Sequence, residues 1–387
     1  MKKDEENLEY FAKNNKKMDD RDILPSIEFL ENIAWEYNSD GTERNFAEKL
    51  EACRHEKYRS ADASALTGES VGIDSEKLDR VPEGRFNTEV DGAYFECFYQ
   101  AREYDYLYVV LDTMRDDKTI AKGPLPRFHK WSWSTFLKGH LLSIEDPMYF
   151  ESDISVGWFY GTKERDYRDA TAKLVMRVAR LLGIPNEHII FYSVSSGGTS
   201  GLFTAEKISG SVAIASNPQL DLTRFLPSAL ANFKECTGID LTYEKEYGDA
   251  GRRVDFAHVL STNSLSKYLV IINCRSKIDF NDQLIPFCEE LGITPRYGLQ
   301  KIGNLIIWVI DAPGPHPHLY YESKTMYFAI DFLAKTLAEG GDIDRLKSLY
   351  IMFSEFWHEK AGLIVGDPEC LDDADPVGKS FAEQLKR

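Results

Sequence analysis

Ser195 lies in the run Phe191, Tyr192, Ser193, Val194, Ser195, Ser196, Gly197, Gly198. The first four residues read as a buried strand and the last ones as the start of a helix. A serine at such a strand-to-helix elbow has a strained backbone that exposes its hydroxyl. The turn tolerates only small residues two positions before and after it, and Ser193 and Gly197 meet that demand. Gly198 and Gly201 are expected to let the new helix lie close to the sheet. The start of the helix turns free N–H groups and a positive dipole end toward the reacting centre. The amide of Ser196 is then one donor to an oxyanion.

A serine hydroxyl is a weak nucleophile. It needs a base, and the base needs an acid to orient it. For a serine elbow of this kind the acid and then the base follow in chain order, each in a loop just past a strand. Asp279 comes shortly after the apolar run Tyr268–Asn273, with Asp282 close behind. Asp279 is preferred because it is nearer its strand, and Asp282 is a candidate cap for a helix beginning near Gln283. The loop after Leu305–Ile310 contains Gly314, Pro315, His316, Pro317 and His318. His316 is the preferred base and His318 the alternative. The two could also form a metal-binding H-x-H pair, but no HExxH motif or carboxylate-histidine set accompanies them, and no metal is expected. His129, His140 and His188 read as structural or substrate-facing.

The surrounding pattern supplies the elements that would hold these groups. Tyr94–Tyr99, Tyr106–Leu111, His188–Tyr192, Val212–Ala215, Tyr268–Asn273 and Leu305–Ile310 read as strands. An amphipathic helix carries Ala172, Val175, Ala179 and Leu182 on one face and ends at Gly183 and Pro185. Further helical patterns cover Gln283–Leu291 and Ser323–Leu337. Alternating strands and helices predict an α/β fold, a mostly parallel sheet with helices on both faces and chemistry beyond the carboxyl ends of the strands. Residues 1–80 are polar and mostly helical in pattern, with Ile27, Leu30, Ala34 and Tyr37 on one face and a small-residue linker over 60–75. The expected organisation is an N-terminal helical extension at 1–80, a catalytic domain at 81–340, and a C-terminal helix and tail at 341–387.

Composition narrows the function classes. With 43% hydrophobic and 28% charged residues, the 387-residue chain can bury a large core, which excludes wholesale disorder. A formal net charge of −17 opposes sequence-independent nucleic-acid binding, although Arg115, Lys118, Lys122 and Arg127 could form a local basic pocket. The six cysteines are scattered and none is spaced as CxxC, against a zinc knuckle or a disulfide scaffold. The N-terminus lacks the apolar run of a signal peptide, and no apolar stretch is long enough to span a bilayer. The expected location is the cytoplasm.

These residues resemble the α/β-hydrolase superfamily over roughly residues 85–335. More narrowly, the chain resembles a bacterial branch concerned with surface carbohydrate. That branch includes capsule O-acetyltransferases and the acetyltransferase-like component of the accessory secretion system for glycosylated adhesins. The stretches that carry this likeness are Pro124, Leu125, Pro126, Arg127 and Phe128 with Trp131, Ser132 and Trp133; Glu145, Asp146 and Pro147; Gly157, Trp158, Phe159, Tyr160 and Gly161; the serine elbow; and Ser216, Asn217, Pro218 and Gln219. Two features depart from the pattern. Relatives often show a longer Gly run at the elbow, and here the histidine loop is unusually rich in proline.

The resemblance implies an α/β-hydrolase fold and an acyl-enzyme on Ser195, with His316 moving the proton and Asp279 fixing the imidazole tautomer. It implies a second oxyanion N–H from the loop after Tyr106–Leu111, with Thr113 or Asp112 as its source. The donor would be acetyl-CoA as co-substrate, with no bound cofactor, and the acceptor a hydroxyl of a polysaccharide or other glycan. Trp131, Trp133, Trp158 and Tyr160 are candidates for stacking on sugar faces, each weighed against core packing. Arg127 is a candidate for a substrate carboxylate or phosphate, and Asn217 and Gln219 could line the site or only tie down their turn. Two alternatives stand beside this reading: a carbohydrate esterase with the same triad, and a non-catalytic scaffold of polysaccharide biosynthesis that kept the fold.

Overall fold

The fold is described from a computed structural model. It describes residues 66, 69–74, 79–115, 128–131, 137, 139–248, 251–260, 265–296, 298–310, 318 and 334–340. The expected helices of the N-terminal extension, the C-terminal tail, and most of the 60–75 linker and of the expected helix Ser323–Leu337 lie outside these residues.

Among the described residues ten strands form one sheet: β1 Val71–Ile73, β2 Gly84–Val90, β3 Ala93–Gln100, β4 Leu107–Leu111, β5 His140–Ile144, β6 Ile189–Val194, β7 Val212–Ser216, β8 Lys267–Asn273, β9 Gly298–Ile302 and β10 Leu305–Ile310. Their spatial order is β1-β2-β3-β5-β4-β6-β7-β8-β10-β9. From β5 to β10 each neighbouring pair is parallel. β3 runs antiparallel to both β2 and β5, and β9 closes the far side as an antiparallel hairpin with β10. A mostly parallel sheet, an exchanged β4/β5 pair, and a serine turn at the end of the strand beside it make up the α/β-hydrolase fold.

The central strands show why the sheet is covered on both sides. β4, β6, β7 and β10 are buried at every position, and β8 at all but its first. Such uniformly apolar strands need helices on both faces. α1, Tyr167–Leu182, is one covering helix. Asp166 caps its start by accepting from the Arg168 amide at 3.0 Å, and Gly183 ends it in the left-handed conformation at φ 71°. α2, Ser195–Glu206, is buried from Ser195 to Ala205. Its composition of Ser, Gly, Thr and Ala therefore reflects close packing.

Several elements differ from the sequence reading, which had no strand at β1, β2, β5 or β9. β2 was hidden because Asn87 and Glu89 interrupt its apolar residues, yet Phe86 and Thr88 point inward in strict alternation. β5 is flanked by polar loop sequence that masked it. The helix expected over Gln283–Leu291 instead begins at Ile278 as a wide turn of π type running to Leu284, before the regular turns of Ile285–Glu290. Pro286 has no N–H to return to the preceding turn, which favours that widening. No helix among the described residues is long and apolar enough to cross a membrane.

Candidate functional site

Ser195 follows the last residue of β6 directly and begins α2, with φ at 49° and 6% relative exposure. A serine in this region is strained and persists only where its surroundings dictate it. Those surroundings are dense. A Cβ on Gly197 would collide with the Leu111 carbonyl oxygen and lie 2.8 Å from that of Asp112. A Cβ on Gly198 would sit 2.9 Å from the Ser193 carbonyl oxygen, whereas one on Gly201 would meet only Phe191 at an ordinary 3.4 Å. The close approach thus requires Gly197 and Gly198 but not Gly201.

Ser193 does more than stay small. The β4–β6 ladder pairs Leu107 to Val109 with Ile189 to Phe191. Beyond it the Ser193 hydroxyl accepts from the Leu111 amide at 2.9 Å and donates to the Leu111 carbonyl at 3.2 Å. A side chain thus continues the seam where the backbones diverge, which a glycine could not do. The Ser196 hydroxyl makes a similar tie, accepting from the Met114 amide at 2.7 Å. Val194, the residue before α2, makes no side-chain cap, and the first amides of the helix have no partner within it.

The acid and a histidine meet on the other side of the site. His318 Nδ1 lies 2.7 Å from Asp279 Oδ2, and the Ser276 hydroxyl donates to the same oxygen. Asp279 is buried and Asp282 exposed, so Asp279 is the carboxylate that meets a histidine. A carboxylate at Nδ1 places the ring proton there and leaves Nε2 as the basic nitrogen. His316 lies outside the described residues.

Asn217 ties this side to the sheet. At φ 44° it is another strained residue. Its amide donates to the Ile271 carbonyl at 2.8 Å, its Oδ1 accepts from the Asn273 amide at 2.9 Å, and its Nδ2 donates to the His318 carbonyl at 2.6 Å. One side chain thus joins the ends of β7 and β8 to the histidine loop. The sequence signal was the polar Asn217 directly after an apolar strand, and its reach to the histidine loop could not be read from it.

The other expected site residues are placed differently. The Thr113 amide donates to Asp112 Oδ1 at 2.8 Å, the Met114 amide to Ser196, and the Arg115 amide to the Ser155 carbonyl at 2.8 Å. The Asp112 amide donates to the Ile144 carbonyl at 3.0 Å. In this arrangement each of these four amides already has an acceptor. Trp158 is buried, with Phe225 and Phe233 packed against its ring at centroid distances of 5.7 and 5.6 Å. Tyr160 is buried with the Arg253 guanidinium 4.0 Å from its ring centre. Both therefore sit in the core, with no open face for a sugar. Trp131 is half-buried, edge-on to Phe98 at 6.4 Å. Arg127 and Trp133 lie outside the described residues.

Two motif carboxylates act as internal struts. Glu145 Oε1 accepts from the Phe128 amide at 2.5 Å. Asp146 accepts from Met148 through Oδ1 at 3.1 Å and from Phe159 through Oδ2 at 2.8 Å. A Cβ on Gly157 would come within 2.6 Å of Asp146 Oδ2. Asp146 thus fixes the turn in which Trp158 and Phe159 both adopt φ 52°. Burial pushes its carboxyl up to about 7, opposed by the two amides and reinforced by the charges of Asp112 and Glu151.

Histidines elsewhere have structural partners. His140 bonds the Tyr99 hydroxyl at 2.7 Å and stacks on its ring, while His188 meets the Asp105 carbonyl at 2.9 Å and stacks on Tyr106. Among the described residues, Asp255, His258 and Glu290 form one cluster of metal-ligand type. The Lys245 ammonium already engages Asp255, which weakens any claim of that cluster on a cation.

No family model matches the chain. No curated protein matches it either. Among solved structures, it is similar to the capsule O-acetyltransferase of Neisseria meningitidis serogroup A, at 15% identity and a TM-score of 0.46 over 72% of this chain and 99% of that one. It is also similar to a glycosylation-associated protein complex from Streptococcus agalactiae, at 13% identity and a TM-score of 0.43 over 67% of this chain and 47% of that one. A third is 2,6-dihydroxy-pseudo-oxynicotine hydrolase, at 15% identity and a TM-score of 0.43 over 67% of this chain and 69% of that one. The strand order and the strained Ser195 turn place this chain in the α/β-hydrolase fold.

Proposed function

We propose that the chain is a serine acyltransferase that moves an acetyl group from acetyl-CoA to a hydroxyl of a bacterial surface glycan. Ser195 is the nucleophile, His318 the base and Asp279 the acid that orients it. The observation that carries this reading is a strained, buried serine at the start of α2 in a chain whose segments after β8 and after β10 bring Asp279 and His318 to 2.7 Å of each other.

The chemistry follows from the atoms. Asp279 holds the Nδ1 proton of His318, leaving Nε2 to take the Ser195 proton as Oγ attacks the acyl carbon. The carbonyl π pair moves onto oxygen, where the first amides of α2, that of Ser196 foremost, stabilise the charge. The thiolate leaves with the proton from His318. The imidazole then draws a proton from the acceptor hydroxyl, which attacks the acyl-serine, and returns that proton to Oγ as the acyl–Oγ bond breaks. The acetyl donor and glycan acceptor rest on the sequence resemblance. The loop after β4 carries Arg115, Lys118, Lys122 and Arg127, local positive charge suited to an anionic thioester on an acidic chain.

Intact mass after brief exposure to acetyl-CoA or an activated acetyl ester tests the reading. An acetyl adduct is expected on the wild type and not on Ser195→Ala. Adding capsule-type polysaccharides is then expected to discharge the adduct onto sugar faster than water does; discharge to water alone would make the protein an esterase. No adduct and no donor turnover would overturn acyl chemistry and favour a scaffold.

A further inference from the structure

We propose that the side-chain amide of Gln219 is a catalytic hydrogen-bond donor to the nucleophile, joining the Ser196 amide in the charge-stabilising set. The inference rests on the reading of Ser195 as the nucleophile. Gln219 Nε2 lies 3.3 Å from Ser195 Oγ, and its Oε1 lies 3.0 Å from Trp158 Nε1. An indole N–H only donates, so the amide oxygen must face Trp158, which leaves the NH2 group for Ser195. The opposite flip would put two donors together at Trp158. Gln219 is fully buried, and its backbone amide donates to Thr199 Oγ1 at 2.7 Å. Thr199 Oγ1 donates in turn to the Ser195 carbonyl at 3.1 Å. Gln219 is therefore held at both ends against the turn that presents the nucleophile.

Two consequences follow. Because Ser195 Oγ accepts from Gln219, its own proton is directed elsewhere, which favours delivery to His318. As Oγ bonds to the acyl carbon, negative charge passes to the former carbonyl oxygen, and the same N–H group is at hand to follow it without giving up a proton. The Thr113 and Asp112 amides, where a second donor was expected, are bonded to the Asp112 carboxylate and the Ile144 carbonyl. A preset donor that costs no reorganisation is worth about 100-fold in rate. Trp158 is the positioning residue, and its strained backbone is fixed by the strut from Asp146.

The test is the rate of acylation by an activated acetyl ester, with labelling by a fluorophosphonate that reports nucleophilic serines. Wild type is expected to label at Ser195. Gln219→Ala is expected to lose about 100-fold in acylation rate, with the loss in kcat and the KM changed less than about threefold. Trp158→Phe keeps the ring but not the N–H, and is expected to lose about tenfold, with a scattered amide. Gln219→Glu separates catalysis from packing, because it keeps the size and still accepts from Trp158. Its carboxylate cannot donate to Ser195, so activity is expected to be low at neutral pH and to recover toward acid as the carboxyl regains its proton, relative to the wild-type profile. Gln219→Ala acylating at the wild-type rate, or Gln219→Glu following the wild-type pH profile, would overturn the proposal. Wild type that fails to label at Ser195 would instead overturn the nucleophile reading beneath it.

Discussion

The serine side and the histidine side of the site are built in opposite ways. Ser195 is locked by its own neighbourhood. Gly197 lies against two carbonyls of the β4 strand end, Ser193 stitches the seam to Leu111, and Ser196 ties down Met114. His318 follows the last sheet strand by several residues, keeps 29% of its side chain exposed, and is fixed through Asp279 and the Asn217 strap. The first design spends strain and close packing to hold one atom. The second needs a few strong polar contacts on a more open ring, which suits a group that must exchange protons with donor and acceptor in turn.

On that contrast, the two sides are expected to fail differently. The largest effect is expected at the histidine side. Asp279→Asn keeps the shape but loses the acceptor that fixes the Nδ1 proton, and should cost about 10³–10⁴-fold in acylation, some 4–5 kcal/mol of barrier. Its melting temperature should stay near wild type; a comparable drop in both would show that Asp279 is chiefly structural. Next comes the serine side. Gly197→Ala forces a methyl group against two backbone carbonyls and should lose about 3 kcal/mol of stability in denaturant titration. A wild-type midpoint would mean that the β4 strand end yields easily.

The smallest effect is a slope. Asp146, the strut behind the serine side, keeps its proton in the native state at pH values where the unfolded chain has lost it. Its contribution is therefore complete only below about pH 4, where the unfolded carboxyl is also protonated, and is lost as the pH rises from there through about 7. Between pH 6 and 8 this amounts to about 1 kcal/mol. Asp146→Asn cannot ionise, so its stability should be flatter across that range, whatever its level. An unchanged slope would assign the pH dependence elsewhere.

The same contrast explains what could be read from the sequence. The elbow is local: strand, small residue, serine and Gly197 fall within a few positions, and short-range sterics suffice to predict the turn. Asp279 was legible because it follows its strand closely. That His318 meets Asp279 was not, since two histidines separated by a single proline in a Pro-rich loop differ only in where the loop carries them. The burial of Trp158 and Tyr160 was not legible for a related reason. Trp158 occurs in a glycine-bounded turn that looks open, yet Asp146, distant in sequence, folds that turn inward. Gln219 was seen only as a possible lining residue, because its role depends on a tryptophan 61 positions earlier. Contacts that decide an amide's orientation across such a span leave no periodicity to detect.

The Asn217 strap also bears on the order of events during synthesis. Two of its three partners belong to β8 and the third to a loop that follows β10, so it can close only after β8 and the histidine loop have been made. The elbow can form much earlier, from segments already translated. On the proposed assignment the growing chain therefore carries a shaped serine without a base, and such a hydroxyl is a poor nucleophile. Reactivity is withheld from the nascent protein until the sheet is nearly complete, a safeguard against premature acylation that needs no separate inhibitor.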